Sequence, residues 1–256
     1  FDEDRLVFGT NKFNKIRILG AVQNPGEYLV KQGDGVLEGI KRAGGYTQNA
    51  YPFGGILENE QTAEINAMAA EMLYKTFLDT LSVVATTPES SSTTLDSILA
   101  LMSEIKDVEP NGRISAEFDL IKLSQDSTSN IILQDGDTIT IPEKVNHIYI
   151  YGEVSNEGTV KYQANKSIEF FIEQKGGLNS FADRKNIYVL QPNGKTVKIN
   201  KNVFMGRNEI ELYPGSVIFV PRKFNDRFLV TKSAQAYATI LGNIGVSLAS
   251  ISVLKD

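Results

Sequence analysis

The stretch "GAVQNPGEYL" at residues 20–29 returns in altered form as "GEVSNEGTVKY" at residues 152–162, 132 positions further along. Residues 16–57 align with 148–189 without a gap, and Ile16, Ile18, Gly20, Val22, Asn24, Gly26, Ile40, Gly44, Gly45 and Ala50 meet identical residues. Chance would supply only about two or three such matches, so the chain carries an internal duplication. Both copies read alike. "KIRILGAV" and "HIYIYGEV" alternate apolar and polar residues, the pattern of half-buried strands. Asn24, Pro25 and Gly26 read as a type II turn, with proline setting the first central residue and glycine taking a positive φ at the second. Asn156 and Gly158 repeat this around Glu157. A second strand follows in "EYLV" and "TVKY". Val36, Leu37 and Ile40, or Ile168, Phe171 and Ile172, then fall at helical spacing, and the helix stops at Gly44-Gly45 or Gly176-Gly177, where glycine accepts a left-handed cap.

The closing strands match at a different offset. "DTITIP" ends at Pro142 and "SVIFVP" at Pro221, 79 positions apart, so the first copy holds about fifty extra residues, at about 59–111. That insertion reads as a helical hairpin: Ile65, Met68, Met72, Leu73, Phe77 and Leu81 form the stripe of one helix, Leu95, Ile98, Leu99, Met102 and Ile105 that of the other. "TTPESSSTT" at 86–94 is the loop between them. The stripe either covers its own unit or docks a neighbouring subunit or partner. Residues 3–22 also align with 135–154, so residues 1–14 read as the tail of a preceding unit that has been cut away. The expected layout is α+β: that tail at 1–14, a first unit at 15–144 with its insertion, a second at 145–224, and a C-terminal amphipathic helix at 225–256.

Composition narrows the function. The net charge of -5 and the lack of Lys/Arg clusters argue against nucleic acid as a partner. There is no cysteine and a single histidine, His147, which removes disulfides, thiolate metal sites and most nucleophile–histidine chemistry. No phosphate loop or calcium-loop spacing is present, so neither a metal nor a cofactor is expected. Asp135 and Asp137 flank a glycine before a strand, where aspartate caps a turn, and no facing carboxylate pair suggests glycan cleavage. Tyr28, Tyr46, Tyr51, Tyr149, Tyr151 and Tyr162 are either strand residues or stacking platforms for sugar rings.

From Ser233 to Leu254 the chain carries no charge. A helix of that length would extend about 33 Å, near the thickness of a bilayer's hydrocarbon core. Gln235, Thr239, Asn243 and Ser247 recur every four residues and Ser250 continues the line, while Ile240, Leu241, Ile244, Leu248 and Ile251 lie on the other faces. A ring of such helices would turn the polar stripe to a wet lumen, with Ala238, Gly242, Gly245 and Ala249 allowing close approach. Packing of the helix on the protein, and a terminal strand pair, are the alternatives.

In order, Gly-x-Val, Asn-Pro-Gly-x-Tyr, an apolar helix, Ala-Gly-Gly and Asp-Gly-Asp-x-Ile-x-Ile-Pro resemble the SLBB domain, a soluble-ligand-binding module of β-grasp fold. The first copy carries "GAVQNPGEYL", "IKRAGGYT" and "DGDTITIP"; the second carries "GEVSNEGTV", "EQKGGL" and "PGSVIFVP", departing at Glu157 and Lys175. Serial copies resemble the outer-membrane polysaccharide export (OPX) proteins. That resemblance implies tandem β-grasp domains, a homo-oligomeric ring in the periplasm and outer membrane of a Gram-negative bacterium, and passage of capsular or exopolysaccharide. It also implies an inner-membrane export partner, no catalysis, and a pore-lining role for the Gln235 to Ser250 stripe. The alternative is a soluble β-grasp module that holds a glycan or small ligand without forming a channel. An acidic polymer would need a locally neutral or basic lining along its path, because the chain is negative overall.

Overall fold

The computed structural model describes residues 13–86, 98–99, 102–103, 106, 111–199, 210–223 and 236–237. The first half builds β1 (Phe13–Gly20), β2 (Gly26–Lys31), α1 (Val36–Arg42), β3 (Ile56–Glu58), α2 (Glu60–Thr86), β4 (Arg113–Ile114), α3 (Leu120–Gln125) and β5 (Thr138–Ile141). The second builds β6 (His147–Gly152), β7 (Gly158–Lys161), α4 (Ile168–Glu173), β8 (Ile187–Leu190), β9 (Thr196–Ile199) and β10 (Val217–Val220). The sheets run β2-β1-β5-β3-β4 and β7-β6-β10-β8-β9. Strand for strand they are the same mixed sheet, with the first strand of each copy parallel to the last at its centre (Ile18 opposite Ile139, Ile150 opposite Ile218). The fold is α+β, two β-grasp-like units in series.

Each unit packs its short helix on one sheet face. Val36, Leu37 and Ile40 of α1 close over Ile16, Ile18, Val30, Ile139 and Ile141. Ile168, Phe171 and Ile172 of α4 do the same over Ile148, Ile150, Ile218 and Val220. The helix starts differ. Ser167 caps α4 itself, its hydroxyl accepting from the Phe170 N–H at 3.3 Å. Gly35, the equivalent position, has no side chain to offer, and Asn130 fills the gap: its Oδ1 accepts from the Leu37 N–H (3.0 Å) and its amide donates to Glu38 (2.9 Å).

The repeated phrase exists because its two halves bond to each other. The Gln23 and Asn24 N–H groups donate to the carbonyls of Gly45 and Ala43, and the Thr47 N–H donates back to Ala21. In the second unit Ser155, Asn156 and Asn179 make the same bonds to Gly177, Lys175 and Glu153. The glycine pair lets the chain turn from helix into this pairing: Gly44 and Gly45 lie at φ 83° and 84°, Gly176 and Gly177 at 85° and 83°. The type II turn is corrected. Gly26 does not take a positive φ, whereas Gly158 does, at 121°. The left-handed residue shared near the turn is the strand-ending glycine, Gly20 at 81° and Gly152 at 92°. A Cβ on Gly152 would stand 2.1 Å from the Val220 carbonyl oxygen. Glu157, where the first copy has proline, accepts from the Gly152 N–H at 2.8 Å and so secures its own strand end.

The insertion leaves the sheet at Asn59 and returns at Gly112, whose carbonyl accepts from the Asn59 N–H. The Asn59 side chain caps α2 through the N–H groups of Gln61 and Thr62. The stripe expected on α2 divides in two. Leu73, Phe77 and Leu81 face inward, while Ile65, Met68 and Met72 are exposed. The inward side packs, with Ile98 and Met102, on Tyr149, Tyr151, Tyr188, Leu190, Val217 and Phe219. The first unit's insertion therefore covers the second unit's sheet. The strand "HIYIYG" keeps the alternation its sequence suggests: Ile148 and Ile150 are buried, while Tyr149 and Tyr151, in the other register, are partly covered by the insertion.

Among the described residues no helix is long and apolar enough to cross a membrane. Gln235, Thr239, Asn243, Ser247 and Ser250 lie outside those residues. Ala236 and Tyr237 are described; they are helical and buried on the second sheet, with the Tyr237 ring 5.0 Å from Phe219.

Candidate functional site

Where the two units meet, a cleft of about 810 Å³ opens, within the ~300–1,000 Å³ span of small-molecule sites. One wall comes from the insertion and its return: Asn66 on α2, Asn111, Arg113 on β4, and Ser115 to Glu117. The opposite lip is the β8–β9 turn, Asn193, Gly194 and Lys195. "PNGK" makes that turn tight. The Gln191 N–H donates to Lys195, the Gly194 N–H to Gln191, and Gly194 lies at φ 85°. The turn also lets the second unit touch the first, since the Arg113 guanidinium donates through Nη2 to the Pro192 carbonyl at 2.8 Å. A Cβ on Gly194 would come within 2.8 Å of Arg113 Cζ.

The side chains around the cleft hold one another in place. Asn66 donates to the Asn111 carbonyl at 2.6 Å, and Asn111 Oδ1 accepts from the Arg113 N–H at 3.1 Å. Half-buried Arg113 enters no ion pair among the described residues. Burial pulls its guanidinium down to about 10, and nearby Glu58 pulls the other way. It is cationic at neutral pH. Burial pushes Glu58 up, against the opposing field of Arg113. Glu117 is already engaged: one oxygen accepts from the N–H groups of Phe118 and Asp119, the other from Lys122 Nζ at 3.3 Å. These bonds outweigh burial and hold its carboxyl below the usual range. The unsatisfied charge at the cleft is thus positive, from Arg113 and Lys195.

The tyrosines are bound into the fold. Tyr28 donates to the Asn24 carbonyl, Tyr46 to Phe118 (2.6 Å) and Tyr162 to Leu212 (3.0 Å). Tyr149 and Tyr151 stack 6.3 Å apart beneath the insertion. These five rings are partly buried against the cores of the two units, and Tyr51 is half-buried beside Phe53. His147 Nε2 sits 2.7 Å from the Tyr149 hydroxyl, and burial lowers its pKa. Asp135 caps the Lys15 N–H and Asp137 that of Gln134, both at 2.7 Å. Asn59 also donates to Asp137, at 2.6 Å. Ser216 takes the Asp137 position in the second unit and accepts from the Tyr213 N–H at 3.0 Å. Asn24 and Gly45, with Asn156 and Gly177, take part in the inter-segment pairing of each unit, Gly44 and Gly176 turn the chain into it, Gly26 and Gly158 open the second strands, and none of these residues nor Pro25 lines the cleft. Among the described residues no group of three or more His, Asp or Glu is placed to hold a metal ion. Arg113 and Lys195 escaped the sequence reading. The available signal was the Pro-Asn-Gly hairpin turn, which places Lys195, and the point where the insertion rejoins the sheet, which places Arg113.

Two family matches and two relatives bear on this architecture. Residues 15–58 match the SLBB domain, and residues 156–244 match the C-terminal domain of the capsule biosynthesis protein GfcC. Two polysialic acid transport proteins KpsD of Escherichia coli are each 27% identical over 169 residues, covering 65% of this chain. The matched stretch spans 27% of their length, so this chain corresponds to about a quarter of each. The chain is thus similar in part to polysialic acid transport proteins, with residues 15–58 matching the SLBB domain.

Proposed function

We propose that this chain is part of a capsular or exopolysaccharide export assembly of the Gram-negative periplasm and outer membrane. In this reading identical copies close into a ring and the polymer passes through it. The supporting observation is the serial duplication of a β-grasp-like unit, locked by an insertion that spans both units, in a chain similar to proteins named for polysialic acid transport. Stacked modules make a wall, and a head-to-tail interface repeated around an axis closes it. The chain's role is passive: it binds and guides, while an inner-membrane partner delivers polymer. The polar stripe Gln235, Thr239, Asn243, Ser247 and Ser250 would line the exit. The inter-unit cleft gives some weight to a second reading, a soluble glycan-binding module that forms no channel.

The two readings separate on assembly. Native mass spectrometry and negative-stain microscopy in mild detergent, on the chain and on a version ending at Lys232, are expected to give closed rings for the long form only. Soluble monomers from both would overturn the conduit and leave the binding module.

A further inference from the structure

The chain carries a net charge of -5, yet the cleft between its two units has charge of the opposite sign. Arg113 spends one N–H on Pro192 and forms no ion pair among the described residues; Glu58, opposite it on β3, acts on it only through its field. Lys195 is exposed on the facing lip. Glu117, the one acid of the lining, is neutralised by Lys122 and two backbone N–H groups. The rest of the lining suits a sugar: the amides of Asn66 and Asn193 and the Ser115 hydroxyl offer hydrogen bonds, and Ala69, Ala116 and Ile131 offer an apolar strip. A guanidinium with unspent, coplanar N–H groups matches a carboxylate in shape as well as charge.

We propose that this cleft binds a carboxylated saccharide, its carboxylate received by Arg113 and Lys195 and its hydroxyls by Asn66, Ser115 and Asn193. The inference rests on the export reading for the source of the saccharide. Its chemistry rests on the cleft alone. Two units contribute to one site, so each unit by itself holds only half of it.

The test is calorimetric titration of the whole chain with a short oligogalacturonate and with a neutral maltooligosaccharide of equal length, at low and high salt. The acidic sugar is expected to bind at least tenfold more tightly, with the advantage shrinking as salt rises. Lys195→Glu, at an exposed position, should weaken that binding severalfold with the melting temperature unchanged. Arg113→Gln should weaken it about tenfold or more, and Arg113→Lys less. Equal affinity for the two sugars, no binding of the acidic one, or wild-type binding by folded Lys195→Glu would each overturn the proposal. Rings without acidic preference would sink this inference and spare the export reading; acidic preference without rings would sink the conduit and spare this site.

Discussion

Single residues in the repeated phrase divide into those the backbone requires and those it tolerates. Gly44 and Gly176 sit at positive φ, and a Cβ there would stand 2.9 Å from Asn24 Nδ2 or 3.0 Å from Ser155 Cβ. Either glycine changed to alanine should cost about 1–2 kcal/mol, measured by chemical denaturation. Gly26→Ala should stay within about 0.5 kcal/mol, because φ is not positive and nothing lies within 4 Å of the new Cβ. The sequence showed both glycines recurring and could not rank them, since recurrence records only that a glycine is present. The difference lies in the opposite segment, Asn24 against Gly44, which a linear reading does not bring together. Tyr46 adds a pH dependence. Burial raises its hydroxyl far above the ordinary value, and burial holds Tyr51 up at about 12. Above pH 10 the unfolded chain gives up protons that the folded state keeps, so stability falls as pH rises from there. Melting temperatures taken from pH 9 upward should decline more gently in Tyr46→Phe than in the wild type. At neutral pH that variant should lose about 0.5–1.5 kcal/mol with the bond to the Phe118 carbonyl.

Among the elements, α2 separates what periodicity reveals from what it hides. The apolar spacing identified a helix, and the chain forms one from Glu60 to Thr86. Which apolar residues were buried depended on a sheet whose strands lie from β6 to β10, far along the chain from α2, so Met68 and Phe77 looked equivalent. They are not. Met68 is 64% exposed and Phe77 is 1% exposed. Phe77→Ala should cost about 3–5 kcal/mol, while Met68→Ala should fall within about 0.5 kcal/mol, both by urea titration. The covered sheet carried a signal of its own. "IYVL" and "VIFV" are unbroken apolar runs with every residue buried, as strands covered on both faces tend to be. "KIRILG", by contrast, keeps Lys15 and Arg17 on its open side. The inter-unit cleft had no such trace, because its residues come from four separate stretches and each alone reads as an ordinary helix face, loop or strand end.

As a whole, the molecule is two copies of one design held together by contacts that include the α2 packing, the Arg113 to Pro192 hydrogen bond and the Phe53–Tyr213 ring contact at 4.6 Å. Each unit has its own core, so two independent melting steps would be the default. The apolar clasp should fuse them into one. Calorimetry of the wild type is expected to show a single transition over these units, and Phe77→Asp, which puts a charge into the shared layer, should split it in two. The arrangement also bears on how the protein is made. Synthesis runs from the N-terminus at about 5–20 residues per second, so α2 emerges on the order of ten seconds before Phe219 completes the surface it belongs on. During that interval Leu73, Phe77 and Leu81 have no native place to go. A nascent chain of this design must be shielded, by the ribosome's surroundings or by a holding chaperone, until its second half has appeared.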